Sequence, residues 1–188
     1  MISPMLEQRV QQHFFESADL LYQVAEQLGR PLAFAAQMIT DALTGGHRVL
    51  TVAQGHAALD ADYLAARLAG RFEQDRPGLA AWSLPAQTRA GVDLSRLLQA
   101  QGHPGDVLIV IEPEASRAAA WAEVLATAHG QEMFVVALTA DDWRGQLQDT
   151  DLQLRVSAPR AARVVETQRV LVHALCDAID QLLLGSEE

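Results

Sequence analysis

The run Val107-Leu108-Ile109-Val110-Ile111, entered through Gly105-Asp106, constrains this fold more than any other feature of the chain. Its residues are apolar without interruption and mostly β-branched, so the strand they form has no face left for water. Such strands belong to parallel sheets covered by helices on both sides. Short apolar runs of the same kind occupy residues 49–52, 79–84, 134–138 and 152–156. Between and after them, helical patterns cover residues 58–72, 95–101, 115–129 and 162–184. Strand and helix therefore alternate, and right-handed crossovers then dictate a doubly wound architecture. The expected fold is α/β, a three-layer α/β/α sandwich around a five-stranded parallel sheet of flavodoxin-like type.

The first 45 residues follow a different period. Val10, Phe14, Ser17, Leu21, Val24 and Leu28 recur at spacings of three and four, the stripe of an amphipathic helix. Gly29 is expected to end that helix and Pro31 to open a second, which Gly45 and Gly46 stop. The reading is one domain over 1–188, with 1–45 a two-helix arm and 46–188 the α/β core. The apolar stripe of the arm needs a partner, either this core or the same stripe of another subunit.

Charge and composition exclude several functions. With 14 Lys and Arg against 24 Asp and Glu, the formal net charge is −10. No basic stretch escapes that balance, so direct nucleic-acid binding is not expected. No apolar run reaches the ~20 residues of a membrane span, and residues 1–7 lack the pattern of a signal peptide. The single cysteine, Cys176, permits no intrachain disulfide and suits a reducing, cytoplasmic compartment. It lies in an apolar helical run and reads as a small buried hydrophobe.

In open α/β sheets ligands bind at the carboxyl ends of the strands. The loops after residues 52, 111 and 138 therefore carry the candidate site. Four segments, Gly105-Asp106-Val107-Leu108, Val136-Ala137-Leu138-Thr139, Gly70-Arg71-Phe72 with Arg76-Pro77, and His173 with Leu175-Cys176-Asp177, stand in an order that resembles the sugar-isomerase (SIS) domain family. That group includes phosphoheptose isomerase and the DnaA initiator-associating protein DiaA. The arm residues Leu6-Glu7-Gln8-Arg9-Val10 and Phe15-Glu16-Ser17 look closer to the DiaA branch. The resemblance implies a homotetramer with the N-terminal helices packed between subunits.

Set beside that family, the loops depart from a sugar-phosphate site. Glycines and hydroxyls cradle phosphates because they expose backbone N–H groups and add donors. Where relatives resemble Gly-Asn-Gly-Gly-Ser, this chain has Ala53-Gln54-Gly55-His56-Ala57. Where they resemble Ser-Thr-Ser-Gly-Asn-Ser, it has Glu112-Pro113-Glu114-Ala115-Ser116-Arg117. Glu112 and Glu114 are expected to repel a phosphate and to favour the positive end of the following helix. His56 and Arg117 offer positive charge in return. Residues 83–93 are shorter than the family's substrate loop. Thr139 is retained in the third loop, whereas Asp141, Asp142 and Trp143 replace a Lys-Asp-Gly-Gly-like stretch. Gln54, Gly55, His56, Glu112, Glu114, Ser116, Arg117 and Thr139 are thus the candidate ligand-binding residues.

The family's acid–base pair and its metal ligands fall on Arg67, Tyr63, Val165 and His173. Only His173 keeps the expected residue. An arginine is no general base, and a lone histidine does not hold a catalytic metal, so no metal or cofactor is expected. Glu166, two helical turns before His173, and Asp60 or Asp62 are the carboxylates available to it. Trp143 reads as a cap on the cleft or as an interface residue. Leu182, Leu183 and Leu184 cannot all face one core, so Leu183 and Leu184 are candidates for subunit packing or for docking a partner. The resulting expectation is a non-catalytic, DiaA-like homotetrameric adaptor of DnaA in replication initiation. The alternatives are a phosphoheptose isomerase-like enzyme acting on sedoheptulose 7-phosphate, and a sugar-phosphate sensor anchored by His56, Arg67 and Arg117.

Overall fold

Strand order fixes where a ligand crevice can lie, and here it runs β2-β1-β3-β4-β5. The strands are β1 (Val49–Ala53), β2 (Ala81–Ser83), β3 (Val107–Glu112), β4 (Phe134–Ala140) and β5 (Leu152–Val156). All four pairings are parallel, with Val49 beside Val107 and Val107 beside Phe134. Both faces of β3 are buried along its whole length, as its unbroken apolar run requires. The structure is a computed structural model that describes residues 3–84, 93–141, 143 and 146–185.

Helices cover the two faces unequally. One face packs on α1 (Pro4–Thr44), α2 (Ala58–Ala69) and α5 (Ala161–Leu184). The other packs on α3 (Leu94–Gln101) and α4 (Ala122–Gly130), around Trp121 and Trp143. Asp93 caps α3 by accepting hydrogen bonds from the N–H groups of Ser95 (2.9 Å) and Arg96 (3.3 Å). The pattern expected as one helix over 115–129 begins instead as 3₁₀ turns, Ala115–Trp121, before α4 takes over.

The arm is one helix, not two. Gly29 and Pro31 both lie inside the 41 residues of α1. A Cβ on Gly29 would meet nothing within 4 Å, and its neighbours Leu28 and Leu32 are both buried. Leu20, Val24, Leu28, Leu32, Ala35, Ala36 and Ile39 form a continuous buried stripe along α1, within the same core as α5. Burial of that stripe outweighs the local cost of glycine and of proline's missing N–H, ~1 and ~3 kcal/mol in a helix interior. At 1.5 Å per residue α1 is about 60 Å long. Its first half makes little of the core: Met5, Leu6, Val10, Phe14 and Phe15 are exposed.

Two ion pairs pin the loops, Arg48–Asp106, half-buried, and Arg76–Asp180, buried. Asp106 accepts from the Arg48 N–H (2.9 Å) and the His103 N–H (3.0 Å), fixing the entry to β3. Arg76 binds Asp180 of α5 at 2.5 Å and also donates to the carbonyls of Leu68, Gly70 and Pro77. It ties the end of α2 to α5, and its side chain is 1% exposed. No helix of the described residues is long and apolar enough to cross a membrane.

Candidate functional site

With β2 on one side of β1 and β3 on the other, the chain reverses direction between β1 and β3. The carboxyl ends of those two strands frame the crevice in which open α/β sheets take ligands. The loop after β1 holds Gln54, Gly55 and His56, and the loop after β3 holds Glu112 to Arg117. Gly55 has φ +61°, a backbone conformation that favours glycine, and a Cβ there would lie 2.7 Å from Nη1 of Arg117. Arg117 therefore bridges the two loops. Its Nε also pairs with Glu114 at 3.1 Å. His56, Glu114 and Ser116 are exposed around it.

Glu112 does not face a ligand. It is fully buried, turned inward, and accepts from the N–H of Glu114 (2.9 Å) and from Nε1–H of Trp121 (3.0 Å). Burial pushes its carboxyl above the ordinary range, against the opposing effect of those two hydrogen bonds. The sequence placed both carboxylates where phosphate oxygens would sit, yet only Glu114 is on the rim. Glu112 is a structural acceptor that organises the turn after β3.

A second constellation lies between α2 and α5. Asp60, Tyr63 and Arg67 fall on one face of α2, while Arg169 and His173 are four residues apart on α5. The rings of Tyr63 and His173 are 5.5 Å apart, and Phe72 flanks His173 at 5.7 Å. The guanidinium of Arg67 sits 5.2 Å from the centre of the Tyr63 ring, and that of Arg169 sits 4.3 Å from it. Asp60, which is buried, pairs with Arg169. The Nε of Arg67 is buried and has no hydrogen-bond partner among the described residues. Tyr63, Arg67 and His173 are each only partly buried, so the cluster opens to solvent.

The remaining candidates are used elsewhere. Glu166 pairs with Arg163 at 2.7 Å and accepts from Ser17 of α1 at 3.0 Å, so its carboxylate is committed to the α1–α5 contact. Thr139 is buried, and its hydroxyl accepts from Gln153 at 2.8 Å. Trp143 is a core residue at 4% exposure, packed among the side chains around α3 and α4, which corrects its reading as a cap or docking residue. Leu183 packs against the core, while Leu182 and Leu184 are exposed. The thiol of Cys176 is pushed up to about 12 by burial, with Asp180 adding to the effect, and stays protonated at neutral pH. Among the described residues, no group of three or more His, Cys, Asp or Glu side chains could hold a metal ion. The shortened loop over 85–92, and Asp142, lie outside the described residues.

Sequence reasoning named Tyr63 and Arg67 as departures from a family pattern and missed Arg169. The four-residue spacing to His173 was the available signal. What hid it was that helix spacing gives no sign of which residues of α2 lie opposite.

The SIS domain profile matches residues 12–140. The chain belongs to the SIS-domain family. A relative from Methylibium petroleiphilum named phosphoheptose isomerase is 42% identical over 200 aligned positions, covering 98% of both chains. One of the same name from Aromatoleum aromaticum is 37% identical, covering 96% of this chain and 97% of its own length. The solved phosphoheptose isomerase GmhA of Neisseria gonorrhoeae superposes with a TM-score of 0.80 at 31% identity, covering 94% of this chain and 99% of that one. These matches overturn the reading of this SIS-domain chain as a non-catalytic DiaA-like adaptor of DnaA. Relatives that match it over nearly their full length carry the name of an enzyme.

Proposed function

We propose that this chain is a sugar-phosphate aldose–ketose isomerase of the phosphoheptose type, converting sedoheptulose 7-phosphate to the corresponding aldose phosphate. The observation that carries the reading is end-to-end similarity, 42% identity over 98% of both chains, to a protein named phosphoheptose isomerase. Its support in the site is His173, a partly buried imidazole between α2 and α5. The phosphate is taken at the crevice between β1 and β3, by Arg117, His56, Ser116 and the backbone of Gly55. His173 then removes the proton from the carbon beside the carbonyl and returns it to the neighbouring carbon.

The test is incubation of the full chain with sedoheptulose 7-phosphate in deuterated water, followed by NMR. The expected result is an aldose 7-phosphate carrying deuterium at C2, absent for His173→Gln. A wild-type chain that yields neither aldose nor deuterium uptake refutes the reading.

The same proposal includes self-association, probed through α1. Met5, Leu6, Val10, Phe14, Phe15 and Tyr22 expose an apolar surface on that helix larger than scattered single residues explain. A homotetramer in which copies of α1 cover one another accounts for it. Light scattering giving one 20.4 kDa subunit refutes it.

A further inference from the structure

Where a general base is expected in this fold, the chain has a guanidinium, and a second guanidinium stands beside it. We propose that Arg67 and Arg169 form an oxyanion site, which holds the negative charge of the enediolate formed when His173 deprotonates the sugar. The inference rests on the isomerase reading for its ligand but on geometry for its location.

Three features of the cluster argue for it. First, Arg67 and Arg169 share one ring, that of Tyr63, while Asp60 pairs with Arg169 alone. Two guanidiniums against one carboxylate leave a positive charge in excess, within a chain whose formal charge is −10. Second, the buried Nε of Arg67 has no hydrogen-bond partner among the described residues. Buried donors are nearly always satisfied, and the protein itself offers this one no acceptor among the described residues. Third, the two cations stand against the Tyr63 ring, whose neighbour on its other contacts is His173. Stacking on tyrosine fixes a guanidinium plane without consuming its N–H donors.

The step balances. Neutral imidazole of His173 takes the C1 proton of the ketose, and the C1–H electron pair forms the C1–C2 double bond. The carbonyl pair moves onto O2, giving an enediolate whose negative oxygen accepts from Arg67 and Arg169. The imidazolium returns its proton to C2, the hydroxyl proton of O1 passes to O2, and the aldehyde forms at C1. Preorganised cations at an oxygen where charge develops lower the barrier without serving as acid or base.

The experiment combines turnover with binding of a phosphorylated aldonohydroxamate, an anionic mimic of the enediolate. Arg67→Gln and Arg169→Gln should each reduce kcat by about a hundredfold with KM little changed. Each should also weaken hydroxamate binding by about tenfold or more. Arg67→Lys should recover part of both, and unliganded melting temperatures should verify that the variants fold. In the wild-type chain, the hydroxamate should protect Arg67 and Arg169 from phenylglyoxal, a readout that needs no variant. Binding that depends on both arginines in a chain without turnover would support the site and sink the isomerase reading. Turnover and hydroxamate affinity unchanged in both Gln variants would sink the site and leave the reading standing. A hydroxamate that gives no protection overturns the site as well.

Discussion

Replacing Glu112 with alanine tests the claim that this carboxylate serves the turn after β3 and not a ligand. The side chain is fully buried and accepts two hydrogen bonds, from the N–H of Glu114 and from Nε1–H of Trp121. Truncation leaves the buried Trp121 N–H unpartnered, at roughly 1–3 kcal/mol, and the half-buried Glu114 N–H unpartnered at the lower end of that range. Removing a carboxylate that burial disfavours offsets part of that loss, so the net cost should be about 2–4 kcal/mol. For a chain of this length each kcal/mol moves the melting temperature by about 2–4 °C, giving a fall of roughly 5–15 °C. The pH dependence has a definite sign. The carboxyl is held above its ordinary value in the fold, so its contribution is fully present below the unfolded value and fades as pH rises through the raised one. The gap between wild type and Glu112→Ala should therefore narrow from acidic to neutral pH. Urea unfolding of both proteins at pH 4.5 and pH 8, well-matched in salt, measures it. A loss below about 1 kcal/mol at both pH values, or a gap that widens with pH, refutes the reasoning.

Three further outcomes follow from other contacts. Gly55→Ala should cost about 1–2 kcal/mol in thermal unfolding, because a side chain at φ +61° is strained and its Cβ meets the Arg117 guanidinium. It should also lower any affinity for inorganic phosphate, read by calorimetry. Arg76→Met should cost about 3–5 kcal/mol, since it strands Asp180 as a buried, unpaired carboxylate, and denaturant unfolding will show it. Phe14→Glu combined with Phe15→Glu should shift the mass in light scattering towards a single subunit while leaving the circular dichroism of the α/β core unchanged.

The sheet was legible because a parallel strand buried on both faces has no alternation to misread. Residues 107–111 show this best, since each is apolar and each is fully buried. The arm was misread because Gly29 and Pro31 carry strong local signals, while the force that overrides them is the long stripe from Leu20 to Ile39. That stripe acts through a helix more than a hundred residues away in sequence. The loop carboxylates were misread for a related reason. Glu112 and Glu114 are two residues apart and chemically alike, but Glu112 is the last residue of β3 and turns inward to Trp121, whereas Glu114 lies past the strand end, at the rim. Trp121, nine residues on, is the partner that explains Glu112, and a sequence gives no means of pairing them. Trp143 was ambiguous because its type suits cores and interfaces equally.

The departures at positions 63 and 67 look in the sequence like two independent losses from a catalytic set. The structure makes them one unit. They are a turn apart on one face of α2, and the arginine at one lies against the aromatic ring at the other. A histidine and a glutamate at these places would make a polar pair suited to protons or metal. A tyrosine and an arginine make a platform bearing a fixed cation. Arg169 joins that platform from α5 and is itself neutralised by Asp60, which precedes Tyr63 by one turn. Losing Asp60 would leave the Arg169 cation unpaired, and losing Arg169 would leave the buried Asp60 carboxylate so. His173 stands at the edge of this arrangement, so the groove holds a group able to move a proton beside two cations. On the proposed reading, the end-to-end likeness to named isomerases and an arginine at position 67 are compatible, because a guanidinium can lower the energy of the negative charge that proton removal creates.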